Sequence, residues 1–211
     1  ICPIRERSGG VAVAVCLLLF GTIARSGEVA APLAEVTIES IHDGTPQPAV
    51  VFLPGGASGP VPLLVVLHTW GADYRQRGQV EPALKECRRR GWAMIHPNFR
   101  GPNSRPEACA SPAARQDVLD AVAFMRKKLD VDPRRIYLMG SSGGGHMAMV
   151  IAAHAPELWA GVSAWVPITD LAAWHAESRR RGNRYAGMLE KCCGGAPGDS
   201  PEVDDQYRLR S

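Results

Sequence analysis

The stretch Ile136-Tyr-Leu-Met-Gly-Ser-Ser-Gly-Gly-Gly-His146 constrains this chain more than any other. It contains Gly140-Ser141-Ser142-Gly143-Gly144, a Gly-x-Ser-x-Gly sequence between an apolar strand-like run and a helix-like one. A sharp strand-to-helix turn holds its serine in a strained backbone conformation. Glycines two before and two after remove side chains that would collide with neighbouring backbone. Ser142 therefore projects from the turn as the candidate nucleophile. The helix that follows points its N-terminus, and with it the Gly143 backbone N–H, at any negative oxygen formed there. Ser141 is out of register with the flanking glycines. A phosphate-cradling loop would need the Lys-Ser/Thr ending of a P-loop or the Gly-x-Gly-x-x-Gly spacing of a dinucleotide site, and neither is present. The plain alternative is a glycine-rich turn that only lets helix and strand pack closely.

Around this turn the hydrophobic pattern alternates between strand and helix. Glu35 to Ile41 and Ala49 to Leu53 flank His42-Asp43-Gly44-Thr45, which predicts a β-hairpin. Pro62 to Leu67 is a continuous apolar run, the pattern of a strand covered on both faces, and the parallel sheet is expected to start there. A helix is predicted over Val80 to Arg90, stopped by Gly91, and a strand over Trp92 to His96. Val118, Ala121, Val122, Met125 and Leu129 give Pro112 to Leu129 a helical apolar face. Arg135 to Met139 and Gly161 to Val166 read as strands and Gly143 to Ala155 as a helix, so the middle of the chain is a parallel α/β sheet. Beyond Asp170 the composition shifts to Arg, Gly, Glu and Cys, and Gly194, Gly195, Pro197 and Gly198 predict an irregular loop. Glu202, Asp204 and Asp205 read as a solvated acidic turn.

The 211 residues hold 24 Lys and Arg against 21 Asp and Glu, scattered along the chain, so no nucleic-acid footprint is visible. One domain of this length is expected. Arg5 and Arg7 precede an apolar run from Val11 to about Ala24, too short for a typical membrane span and followed by small residues. Residues 1–26 are thus read as a signal peptide ahead of a domain over 27–211, with an uncleaved anchor as the alternative. Either places the domain outside the cytoplasm, periplasmic or extracellular. Cleavage would remove Cys2 and Cys16 and leave Cys87, Cys109, Cys192 and Cys193, an even set compatible with disulfides. The adjacent Cys192 and Cys193 are expected to find separate partners, because a bond between neighbours strains the peptide. Cys109 is the preferred partner for one of them, with a free, solvent-facing thiol as the alternative. Ligand spacing for zinc is missing, and no metal or cofactor is implied.

An elbow supplies one oxyanion donor, and the second ordinarily comes from the loop after an earlier strand. His68-Thr69-Trp70-Gly71 occupies that place, with Trp70 or Thr69 as backbone donor and Trp70 as a possible wall of the acyl pocket. The plain alternative is a strand-end loop with a buried histidine. For acid and base, Asp170 and His175 are weak candidates, too close in sequence for both to reach their positions. His146, one helical turn after Ser142, is expected to point into the scaffold. His42, His96 and His154 read as surface or packing residues.

Together these features resemble the prolyl-oligopeptidase-like α/β-hydrolases, which include acylaminoacyl- and dipeptidyl-peptidases and several extracellular carbohydrate esterases. The resemblance covers roughly Glu35 to Ser211. It rests on Phe52-Leu-Pro-Gly-Gly56, Leu67-His-Thr-Trp-Gly71, Asn98-Phe-Arg-Gly-Pro102, Gln116-Asp-Val-Leu-Asp-Ala-Val122, Val131-Asp-Pro-Arg-Arg-Ile136, the elbow, and Val166-Pro-Ile-Thr-Asp170. It implies an α/β-hydrolase fold, a mostly parallel sheet with helices on both faces, whose C-terminal strands are missing from this chain. It also implies an acid and a histidine downstream of Tyr207-Arg-Leu-Arg-Ser211, on two further βα units of about 60 residues in all. The expected function is a serine hydrolase, a peptidase of prolyl-oligopeptidase type acting through an acyl-enzyme on Ser142. Its partner would be a small peptide or ester substrate, with no stable membrane span after signal cleavage. A carbohydrate esterase of the same fold and a shortened, non-catalytic hydrolase scaffold are the alternatives.

Overall fold

The computed structural model describes residues 32–56 and 58–211. The signal segment expected over 1–26, with Cys2 and Cys16, lies outside the described residues. Strands β1 (Ala34–Glu39) and β2 (Pro46–Phe52) form the expected antiparallel hairpin, with Glu39 opposite Pro46. The turn between them closes through Ser40 N–H to Thr45 O and Gly44 N–H to Ser40 O. Strands β3 (Val61–Leu67), β4 (Ala93–Pro97), β5 (Val131–Ser141) and β6 (Gly161–Trp165) complete a sheet of order β1-β2-β4-β3-β5-β6. β3 pairs parallel with β4 and β5, and β5 with β6, so the parallel part does begin at β3, while β2 meets β4 antiparallel.

Helices cover both faces, and the period-two alternation of the strands decides which core each residue joins. Val65 points into the core under α2 (Pro112–Lys128) and α3 (Gly143–His154). Its neighbour Val66 points into the core under α1 (Arg77–Arg90). α1 buries Val80, Ala83, Leu84 and Cys87, places Arg88, Arg89 and Arg90 in its last turn, and stops at Gly91, whose φ of 66° needs a residue without Cβ. α2 begins at Pro112 after Ser111, whose hydroxyl accepts the Ala114 N–H at 3.1 Å.

The segment beyond Asp170 departs from expectation. Three helices occupy it, α4 (Leu171–Arg180), α5 (Tyr185–Cys193) and α6 (Pro201–Arg210), and the irregular stretch is confined to the link between α5 and α6. Glu202, Asp204 and Asp205 are exposed, as expected, but they lie in the first turns of α6. There the two nearest the N-terminus complement its dipole. These helices close a third cluster from Leu171, Leu189, Cys192, Cys193 and Tyr207 around Trp70 and Cys109. At its β6 edge the described sheet leaves Val162 and Trp165, with Val166 just beyond the strand, at 39%, 65% and 75% exposure. Among the described residues no helix is long and apolar enough to cross a membrane.

Candidate active site

The elbow forms where the sequence places it. β5 ends at Ser141, α3 begins at Gly143, and Ser142 between them sits at φ 55°, ψ −117°, a conformation a non-glycine residue adopts only when its surroundings hold it. Two hydrogen bonds do so: Ser142 N–H donates to Trp165 O at the end of β6, and Ser142 O accepts from His146 N–H in α3. A Cβ on Gly140 would stand 2.3 Å from Gly144 O, and one on Gly144 would stand 2.5 Å from Leu67 O, so glycine at 140 lets β5 meet α3 and glycine at 144 lets α3 meet the end of β3.

Gly143 is fixed by a different neighbour. A Cβ there would lie 2.3 Å from Trp70 N and 2.4 Å from Trp70 Cα, so the backbone of the loop after β3 runs directly against the first residue of α3. The same contact brings the Trp70 and Gly143 backbone nitrogens to one side of the elbow. Thr69, the other candidate donor, is engaged elsewhere: its N–H donates to Gln76 Oε1 at 2.9 Å, and its hydroxyl accepts from Gln76 Nε2 at 2.9 Å. Of the two candidates the sequence leaves open, Thr69 thus has its N–H occupied, while Trp70 is the one whose nitrogen stands against Gly143. Nothing in the sequence marked Gln76 for that task.

The Trp70 side chain does not wall a pocket. Its indole is 2% exposed and packs inward, edge-on to Trp174 of α4 at 4.7 Å between ring centroids and tilted against His146 at 5.8 Å. The Trp70 carbonyl also accepts the Asn103 N–H from the β4–α2 loop at 2.9 Å. The loop after β3 is thus braced from the third cluster, a role for α4 that its sequence did not announce.

The histidines are engaged away from Ser142. His68 stacks on Phe99 at 3.8 Å and places its ring nitrogens near Thr69 O and Asn98 O, at 3.0 and 2.7 Å. It ties two loops together, and burial pushes its pKa down. His146 is buried and points into the scaffold as expected, with Nε2 2.6 Å from Arg210 O, and burial lowers its pKa as well. His96 bonds to Val66 O from within β4, while His42 and His154 are exposed.

Asp170 and His175 do not form an acid–base pair. Asp170 caps α4, accepting the Ala173 N–H at 2.8 Å. His175 contacts Glu190 Oε1 at 2.8 Å, and that hydrogen bond, with Arg179 beside it, holds the Glu190 carboxyl below its ordinary range. The cysteines also differ from expectation: all four described thiols are free, yet buried rather than facing solvent. No group of three or more His, Cys, Asp or Glu among the described residues could hold a metal ion.

The geometry offers a hydroxyl held on a strained turn, with the Gly143 and Trp70 backbones packed together next to it, an arrangement compatible with attack on a carbonyl carbon. Comparison with known proteins agrees with the fold. The chain overlays a structure of prolyl endopeptidases with a TM-score of 0.62 at 20% identity, covering 86% of this chain and 27% of that one. It overlays FphF, a fluorophosphonate-binding serine hydrolase of Staphylococcus aureus, with a TM-score of 0.62 at 16% identity, covering 85% of this chain and 72% of that one. In sequence it is 28% identical over 134 residues to the non-reducing polyketide synthase pkbA of Emericella nidulans, a match spanning 56% of this chain but 5% of that protein. Residues 50–187 match the BD-FAE family model, a span that takes in the loop after β3, the elbow and α4. With more than half its length in that match and with the sheet, helices and elbow described above, the chain belongs to the BD-FAE family of α/β-hydrolases.

Proposed function

We propose that this chain carries the nucleophile and oxyanion half of a serine hydrolase of the prolyl-oligopeptidase-like kind. Ser142 Oγ loses its proton and attacks the carbonyl carbon of an ester or peptide bond, the Gly143 and Trp70 N–H groups bind the resulting oxyanion, the alcohol or amine leaves carrying a proton, and water then releases the acyl group as a carboxylic acid and restores the hydroxyl. The observation that carries this reading is the pairing of Ser142 at φ 55° with Trp70 N packed against Gly143. The general base and its acid are assigned to none of the described residues, since His68, His96, His146 and His175 are bonded to other groups and His42 and His154 are exposed. No cofactor enters the reaction as proposed. The export signal read over residues 1–26 would deliver the enzyme outside the cytoplasm.

The test uses the full-length protein, a fluorophosphonate probe, p-nitrophenyl acetate and a proline-containing peptidyl p-nitroanilide. Wild type and Ser141→Ala are expected to be labelled and to turn over substrate, while Ser142→Ala loses both. Preference for the anilide supports the peptidase branch, and preference for the acetate an esterase. Equal labelling of wild type and Ser142→Ala would sink the proposal by placing the nucleophile elsewhere, and no labelling or turnover in either would leave a non-catalytic scaffold.

A further inference from the structure

Cys109, Cys192 and Cys193 share the cluster beneath the oxyanion loop, at 1%, 1% and 4% exposure. Three free thiols in one apolar cluster are unusual company for Trp70, Leu171 and Leu189. Their placement is not symmetric. Cys192 lies close enough to the Cys109 thiol to interact with it side chain to side chain and also interacts with the Arg105 backbone, whereas Cys193 acts on Cys109 through charge alone. Cys109 is turned inward by backbone rather than by a helix or strand. It lies at φ 52° and Ala110 at φ 51°, both in the left-handed region. The Cys109 N–H donates to Asn103 Oδ1 at 2.8 Å, and Arg210 Nη1 of α6 reaches Pro106 O and Ala108 O at 2.9 Å each. Left-handed backbone at two successive non-glycine residues costs free energy, so something at this loop must repay it.

We propose that Cys109 and Cys192 form a disulfide that locks the β4–α2 loop to α5, with Cys193 remaining a thiol. The oxidant is another disulfide, such as oxidised glutathione. Each protein thiol loses one proton and one electron, one S–S bond forms in the protein, and the glutathione disulfide is reduced to two thiols. With both sulfurs this deeply buried, exchange happens while α5 docks, before the cluster closes. A bond between Cys192 and Cys193 is disfavoured by strain across their shared peptide. The sequence alone left Cys192 and Cys193 equivalent, and the contact at Cys109 separates them. The crosslink would fix the loop whose Asn103 N–H holds the Trp70 carbonyl, and it would constrain a long loop of the unfolded chain. None of this depends on chemistry at Ser142.

The full chain, refolded in a mixture of oxidised and reduced glutathione, is denatured, alkylated and digested without reduction. The expected product is a linked peptide pair joining the Gly101–Arg115 region to the Cys192–Arg208 region, which disappears on reduction. Cys193→Ser keeps that pair and Cys192→Ser loses it. Recovery of Cys109 as an alkylated thiol in refolded wild type overturns the proposal, and so does a pair that survives in Cys192→Ser but not in Cys193→Ser.

Discussion

Gly143 serves two ends that a larger residue would set against each other. It starts α3 with an N–H aimed past Ser142, and it lets the Trp70 backbone approach to where its own Cβ would stand, 2.3 Å from Trp70 N. Backbone cannot rotate away as a side chain can, so Gly143→Ala must displace the loop that carries the second donor. Loss of one oxyanion donor costs about 10²–10³ in kcat. We expect Gly143→Ala to slow fluorophosphonate labelling of the full-length protein by a similar factor. Gly187→Ala on α5, where a Cβ would meet nothing within 4 Å, should label at the wild-type rate and serve as the control. An unchanged rate in Gly143→Ala would remove the paired donors from the proposed mechanism. The sequence singled out Ser142 and Gly143 because glycine spacing reports backbone approach directly, and His68 to Gly71 by their place after an early strand. It could not choose between Trp70 and Thr69, since the choice turns on Gln76, and a glutamine's hydrogen-bond partner leaves no pattern.

Among elements, the hairpin and α2 are joined by a buried ionic network centred on Arg100. Its guanidinium meets Asp117 Oδ2 of α2 at 2.7 Å and Asp43 Oδ2 of the β1–β2 turn at 2.7 Å, and Ser40 Oγ donates to Asp117 Oδ1 at 2.5 Å. The two carboxyls respond oppositely. Hydrogen bonds from Arg100 hold Asp43 far below its usual pKa, while burial raises that of Asp117 despite the same guanidinium. Removing the cation leaves Asp117 buried and unpaired, and such a deletion costs about 3–5 kcal/mol. Arg100→Ala should therefore lower stability in urea by that amount, with Arg100→Lys intermediate because an ammonium cannot bridge both carboxylates in a fork. A loss below about 1 kcal/mol, the range of an exposed pair, would show that the network is solvated. Asn98-Phe-Arg-Gly was visible in the sequence, but not this function, because Arg100 reaches partners 57 and 17 residues away. Strands and helices through β6 were legible from apolar period because each lies against the sheet. α4 to α6 were not, because they pack mainly on one another, on Trp70 and on Cys109, and so need only short apolar faces. Their start signals were nonetheless written, in the capping Asp170 and in Ser200 followed by Pro201.

At the scale of the whole molecule, stability should depend on pH through three buried imidazoles, one in the loop after β3, one on β4 and one on α3. His68, His96 and His146 are nearly fully buried, and burial depresses each pKa, that of His96 from 6.5 to about 4. In the unfolded chain all three bind protons as pH falls through 6.5, whereas the fold keeps them neutral. The unfolded state then holds more protons, so stability is fully present above pH 6.5 and is lost as pH falls toward 4. Each histidine contributes a slope of at most about 1.4 kcal/mol per pH unit in that window. Carboxyls with lowered pKa, such as Glu190 beside His175, add to the loss only near and below pH 4, and the raised Asp117 opposes it. Urea midpoints measured from pH 7.5 to pH 5 should therefore be level at first and then fall. His96→Asn, which keeps a donor near Val66 O but cannot titrate, should fall less steeply, by about 1.4 kcal/mol per pH unit between pH 6 and 5. A midpoint level down to pH 5 would mean that the fold accepts these protons. His68 would then be the first ring to suspect, because its two nitrogens already face two carbonyl oxygens and a charged imidazole could donate to both.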